Sequence, residues 1–348
     1  MADRKVRVGI LGASGYTGAD LVRLLLRHPH ADIRVMTAER SAGKPIGEVF
    51  PHLAGFGLPD LVKVEDAGWT DVDLAFCGLP HGTTQEIIAA LPPSVRVVDL
   101  SADFRLTDTE TYAEWYGHPH RAPDLQRQAV YGLTEWTRDQ VRDARLVANP
   151  GCYPTAVLLA LLPLVGGRLI DNSSIIVDAK SGVSGAGRSV KEANLFTEVS
   201  EAMHAYGVGR HRHMPEMEQE LSRLAGEPIE MSFTPHLVPM NRGEFVTAYV
   251  KLADGAGVDD LRDALRRRYE GEPFVRVLGE GGSPATRHVR GSNLCILSVF
   301  PDRRAGHAIV LSVIDNLVKG SSGQAIQNMN VMFGLPETEG LEQVALFP

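Results

Sequence analysis

The run from Lys5 to Arg27 restricts the fold more than any other part of the chain. Lys5 to Leu11 (Lys-Val-Arg-Val-Gly-Ile-Leu) reads as an apolar strand, Gly12-Ala-Ser-Gly15-Tyr-Thr-Gly18 as a turn, and Ala19 to Arg27 as a helix with its leucines on one face. A glycine-rich turn between a first strand and a helix is where a doubly wound fold binds the pyrophosphate of a dinucleotide. Glycine lets the backbone approach the phosphates, and the helix N-terminus favours their charge. The spacing Gly9, Gly12, Gly15 departs from the commoner Gly-x-Gly-x-x-Gly, but its place after the first strand makes Gly12, Ala13, Ser14, Gly15, Tyr16 and Thr17 expected cofactor contacts.

The segments that follow repeat the strand-then-helix rhythm of a parallel sheet. The strand Ile33 to Thr37 ends in Ala38-Glu39-Arg40-Ser41-Ala42-Gly43-Lys44. An acid there would take the ribose of NAD, and an arginine the 2′-phosphate of NADP. Arg40, Ser41 and Lys44 tilt the reading to NADP, with Glu39 against it. Val72 to Cys77 leads through Gly78-Leu-Pro-His-Gly82 into a helix, and Val95 to Leu100 ends in Ser101-Ala-Asp103-Phe-Arg105. Ligands of such sheets lie beyond the C-terminal strand ends, so Cys77, Pro80 and His81 join the expected cofactor contacts. Arg105 can grip phosphate or carboxylate with two parallel hydrogen bonds, the alternative being an ion pair with Asp99 or Asp103. Tyr112 to Trp136 reads as a loop, with His118 and His120 solvated.

Asn149-Pro-Gly-Cys152-Tyr-Pro-Thr155 joins a short strand to an apolar helical run. Pro154 suits the first turn of a helix, which places Cys152 at its N-terminus. There the helix dipole favours a thiolate, and free N–H groups can hold an oxyanion. The alternative is a small buried hydrophobe.

Beyond this helix, segments near 174–179, 231–238, 244–251, 294–300 and 307–313 read as strands, and helices fall near 213–225 and 258–270. This pattern predicts an α+β domain with a mixed or antiparallel sheet. The overall fold class is therefore α/β, a Rossmann-like parallel-sheet domain plus an α+β domain with a mixed or antiparallel sheet. His211, His213 and Glu216 could supply a proton donor or zinc ligands, but nothing else supports a metal and none is expected.

A chain of 348 residues suits two domains. Its net charge of −8 argues against nucleic acid or anionic membrane as partners. No stretch is long and apolar enough for a membrane helix, and the opening Met-Ala-Asp-Arg-Lys leads into a strand without an apolar signal region. The cysteines Cys77, Cys152 and Cys295, odd in number and far apart, suit a reducing cytoplasm.

Taken together, Gly-Ala-Ser-Gly-Tyr-Thr-Gly, Asp99 to Arg105, Asn149 to Thr155, Ser181-Gly-Val-Ser-Gly-Ala-Gly187 and His211-Arg-His-Met-Pro-Glu216 closely resemble the N-acetyl-gamma-glutamyl-phosphate reductases, relatives of aspartate-semialdehyde dehydrogenase. The resemblance covers nearly the whole chain. It implies NADPH-dependent reduction of an acyl phosphate, N-acetyl-L-glutamyl 5-phosphate, to the semialdehyde of arginine biosynthesis through a thioester on Cys152. It also implies residues 1–150 with about 317–348 as the cofactor domain, 151–316 as the catalytic domain, a homo-dimer or homo-tetramer, and Asn316 near the nicotinamide. Arg105 would then hold the leaving phosphate or the substrate carboxylate. His211 is the preferred acid–base partner and His213 the alternative, while Ser181, Gly182 and Gly185 would bring backbone close to the nicotinamide. The rival readings are a reductase of a carrier-linked aminoadipyl phosphate, a cysteine hydrolase, and a non-catalytic dinucleotide sensor with an inert Cys152.

Overall fold

The computed structural model describes residues 5–348. The chain divides into two compact units, one running to Pro150 and taking in Ser321–Glu342, the other formed by Gly151–Gly320 with Gln343–Pro348.

The first unit is built on a seven-stranded sheet in the order β3-β2-β1-β4-β5-β7-β6. Its strands are β1 (Val6–Leu11), β2 (Ala31–Thr37), β3 (Leu61–Val62), β4 (Leu74–Cys77), β5 (Arg96–Asp99), β6 (Val130–Tyr131) and β7 (Leu146–Ala148), and every neighbouring pair is parallel. β4 and β7 are apolar throughout and β1 is so but for Arg7, as a sheet covered on both faces requires. The order reverses between β1 and β4, the switch point where such sheets take ligands. Both glycine turns lie there and touch, since a Cβ on Gly12 would stand 2.7 Å from the Gly78 carbonyl oxygen.

The segment expected as a loop, Tyr112 to Trp136, instead holds helices over Thr109–Tyr116 and Pro123–Gln126 and the start of one over Thr134–Asp143. Asp108 caps the first of these by accepting the Glu110 and Thr111 N–H groups. His120 is not solvated: its ring packs edge-on against Phe104 and Tyr112, and Nε2 meets the Asp103 carbonyl at 2.7 Å.

The last helix, Gly323–Met332, is wholly buried although it carries Gln324, Gln327, Asn328 and Asn330. A buried amide needs partners, and the NH2 groups have them: Gln324 donates to the Gly132 carbonyl and Thr134, and Asn328 to Gly132 and Asn149.

The second unit carries a mixed sheet in the order β12-β13-β14-β11-β8-β10-β9. The strands are β8 (Ile170–Gly182), β9 (His204–Ala205), β10 (Ser232–Val238), β11 (Glu244–Leu252), β12 (Val275–Val277), β13 (Cys295–Pro301) and β14 (His307–Ile314). β8 pairs parallel with β10 and antiparallel with β11. The helix Cys152–Gly166, apolar all round and buried from Tyr153 to Val165, packs on this sheet and on the helices Met214–Ala225 and Val258–Tyr269. The final six residues belong to this unit, where the Leu346 N–H donates to the Arg290 carbonyl, and not with the cofactor unit to which the sequence assigns them. No helix among the described residues is long and apolar enough to cross a membrane.

Candidate active site

In the first unit, the turn after β1 has the form a phosphate needs. Gly12 has φ +85°, a left-handed conformation that favours glycine, and its N–H donates to Thr37 Oγ1. Gly18 seats the helix on the turn, since a Cβ there would meet the Gly12 oxygen at 2.5 Å. At Gly15, which precedes the helix Tyr16–Leu25, nothing approaches a built Cβ closer than 3.5 Å, so the space before that N-terminus is open. Ser14 and Thr17 are half-buried, Tyr16 is exposed and Ala13 is buried. Arg40 and Lys44 stand exposed past the end of β2 with Ser41 half-buried between them, and so does Glu39. These residues fit a dinucleotide.

The second turn is set by Asp103. Its carboxylate accepts the Gly82 N–H at 2.7 Å, the Thr84 N–H and hydroxyl, and the Tyr112 hydroxyl. Pro80 and His81 are exposed, His81 with its Nδ1 accepting the Ala102 N–H. Cys77 is fully buried and burial pushes its thiol up, so this position can meet a ligand only through its backbone. Arg105, the expected anion clamp, is held by the backbone around it. It is 5% exposed, with Nε on the Asn149 carbonyl and Nη2 on that of Leu100. Its visible work is to tie the end of β5 to the strand before the cysteine turn.

In the second unit, Cys152 is the first residue of its helix, after Gly151 as N-cap. Of the three cysteines, all free, it alone is partly exposed. Gly151 is held from both sides: Glu216, 1% exposed, accepts its N–H at 2.9 Å, and Thr155 donates its N–H and hydroxyl to its carbonyl. Glu216 thus clamps the turn that carries the sulfur, a role the sequence reading did not assign. Among the described residues no cluster of His, Cys, Asp and Glu is placed to hold a metal ion. Gly320 leaves room for the cysteine, because a Cβ there would stand 2.7 Å from Cys152 Cβ.

The two histidines stand edge to edge, ring centres 4.9 Å apart, each also edge-on to Tyr153. His211 is enclosed by Tyr153, Tyr206 and Phe233, and its Nδ1 accepts the His213 N–H at 3.1 Å. Burial, aided by Arg212, lowers its pKa to about 4. At neutral pH it is an uncharged ring whose Nδ1 is engaged as an acceptor.

Asn316 is 2% exposed and links two loops: Oδ1 accepts the Gly243 N–H and Nδ2 donates to Ser184 Oγ. Ser181 and Gly182 end β8, with Gly182 so close to Asn241 that a Cβ would meet its carbonyl oxygen at 2.8 Å, and Gly185 is exposed in the loop beyond. Glu244, absent from the sequence reading, begins β11 and is 0% exposed on the sheet face that also carries Val246, Ala248 and Val250. A carboxylate in register with an apolar stripe was the available signal.

A parallel-sheet dinucleotide unit followed by a mixed-sheet unit with a cysteine at a helix start defines the semialdehyde dehydrogenase class. The family model for the semialdehyde dehydrogenase NAD-binding domain matches residues 7–144, and that for the dimerisation domain matches 152–316. Aspartate-semialdehyde dehydrogenase II of Vibrio cholerae shares the fold, with a TM-score of 0.71 at 18% identity over 95% of this chain and 99% of its own. The Candida albicans aspartate-semialdehyde dehydrogenase, solved with NADP, has a TM-score of 0.68 at 17% identity over 94% and 98%. The N-acetyl-gamma-glutamyl-phosphate reductase of Afipia carboxidovorans is 56% identical over 99% of both chains, and the probable chloroplastic one of Oryza sativa subsp. japonica is 59% identical over 99% of this chain and 83% of its own. The chain belongs to the N-acetyl-gamma-glutamyl-phosphate reductases.

Proposed function

We propose that this enzyme reduces N-acetyl-L-glutamyl 5-phosphate to N-acetyl-L-glutamate 5-semialdehyde, with release of phosphate, in arginine biosynthesis. The observation that carries this reading is Cys152, the one partly exposed cysteine, on a helix N-terminus braced by Glu216. The helix start favours its thiolate, which attacks the acyl carbon; the tetrahedral oxyanion collapses and phosphate leaves a thioester on the sulfur. N–H groups at the same helix start are available to the oxyanion. Bound NADPH supplies the hydride that takes the thioester to the aldehyde level. The alkoxide of the resulting thiohemiacetal then needs acid–base help, for which His211 and His213, side by side, are the candidates. The direct test runs the reaction backwards: protein with phosphate, NADP and N-acetylglutamate semialdehyde should produce NADPH absorbance. No signal with this substrate, and signal with another aldehyde, would overturn the assignment.

The turn Gly12 to Thr17 with Pro80 and His81 would hold the cofactor, and Arg40, Ser41 and Lys44 its 2′-phosphate. Arg40→Ala should reduce the preference for NADPH over NADH about tenfold, the worth of one charge-assisted hydrogen bond. Equal discrimination in variant and wild type would discount Arg40. We place the enzyme in a reducing, cytoplasmic setting, which its three free thiols suit. Its outer sheet face in the second unit exposes Ile176 and Tyr249, which pair across β8 and β11, and a second copy is the occupant we assign to it. Ile176→Asp should convert a dimer to monomers in light scattering.

A further inference from the structure

Glu244 is a buried ionisable group that the reaction above does not use. It lies at the first position of β11, beside Ser181 of β8 and Ile314 of β14, on the inner sheet face against which the cysteine helix packs. Its carboxyl is 0% exposed, and neither oxygen has a hydrogen-bond partner of good geometry. Leaving such a group unpaired is costly, on the order of 1–3 kcal/mol for a neutral polar group and more for a charge. The turn before β11 delivers it there firmly: the Gly243 N–H is held by Asn316, its carbonyl takes the Gly182 N–H, and its φ of +115° favours glycine.

The polar groups that face this carboxyl are few. Cys152 is one, near enough for its thiol to act on the carboxyl's protonation without being aligned as a regular hydrogen-bond partner. Tyr153, from the same helix, and Tyr206 are the others, each feeling both the carboxyl and the sulfur, and the Tyr206 hydroxyl donates to that of Tyr153 at 3.1 Å. No cation is among them. Burial pushes Glu244 up to about 8, and the thiol opposes part of that rise. At neutral pH the carboxyl is therefore the neutral acid beside a sulfur that the helix start favours as an anion.

We propose that Glu244 is a catalytic acid–base residue that holds the proton Cys152 gives up, so that the sulfur attacks as thiolate. The proposal rests on Cys152 being the nucleophile. As the S–C bond forms and the C–O bond breaks, the phosphate departs with the C–O electron pair and takes the Glu244 proton, leaving as HPO4²⁻. When the C–S bond later breaks and its electron pair returns to sulfur, the Glu244 carboxylate is reprotonated from solvent. The overall step consumes one hydride and one proton for each aldehyde and phosphate formed, which balances the reaction.

The test compares wild type, Glu244→Gln and Glu244→Asp. Rates of Cys152 alkylation by iodoacetamide, followed by mass spectrometry, are measured against pH without substrate. Two coupled ionisations give the wild type a two-step profile, and Glu244→Gln should reduce it to one. The same variant should lose about 100-fold in kcat at unchanged KM for NADPH, with Glu244→Asp recovering part of the loss. A Gln variant within a few-fold of wild type overturns the proposal, as does lost activity with an unchanged alkylation profile, which would mark a packing role. Should Glu244→Gln fail to fold, the Asp variant decides by the same two readouts. Full activity in Cys152→Ala would instead sink the nucleophile on which the proposal stands.

Discussion

Cys152→Ala should bring acyl-phosphate reduction down by roughly 10⁴-fold or more in kcat, because no covalent intermediate can then form. NADPH binding, followed by fluorescence, should be unchanged, since the sulfur belongs to a different unit from the dinucleotide turns. Wild type quenched during turnover should carry an acyl group on Cys152 and on neither of the buried cysteines, Cys77 and Cys295. Activity that survives the substitution would refute the thioester route. The outcome also separates an enzyme from a dinucleotide sensor, for which an alanine at this position would be silent.

Glu216→Ala should be the next most damaging change. It removes the acceptor of the Gly151 N–H and leaves that group buried without its partner, at a cost of about 1–3 kcal/mol in stability. The larger effect should fall on the rate, because the turn that aims the sulfur loses its brace; a displacement of one ångström can cost about 100-fold. The loss should appear in kcat while the KM for NADPH stays put. A variant that is merely less stable, with kcat intact at a temperature where it is folded, would reduce Glu216 to a structural residue.

The readable parts of this chain were those written in local pattern. The strand, glycine turn and helix at residues 5–27 could be identified because glycine spacing and apolar periodicity are properties of neighbours in sequence. The cysteine turn was legible for the same reason, Pro154 and the apolar run after it marking a helix start. The aromatic stretch from Tyr112 to Trp136 was not, because its helices depend on caps and on packing around Asp103 and Tyr112. Arg105 shows what the sequence does not carry: its charge and position suggest an anion clamp, and only the structure shows that Nε and Nη2 are held by backbone carbonyls.

From sequence alone came the two kinds of domain, the dinucleotide turn and the cysteine at its helix start, since each is encoded within a few consecutive residues. Only the tertiary structure decided what surrounds the sulfur: Glu216 arrives from 64 residues downstream of Cys152 and Glu244 from 92, counting by residue number, and neither lies within a turn of it. The reason is physical. Burial and the company a carboxyl keeps determine whether it is a brace, an acid or a surface charge, and both are set by chain segments that meet only after folding.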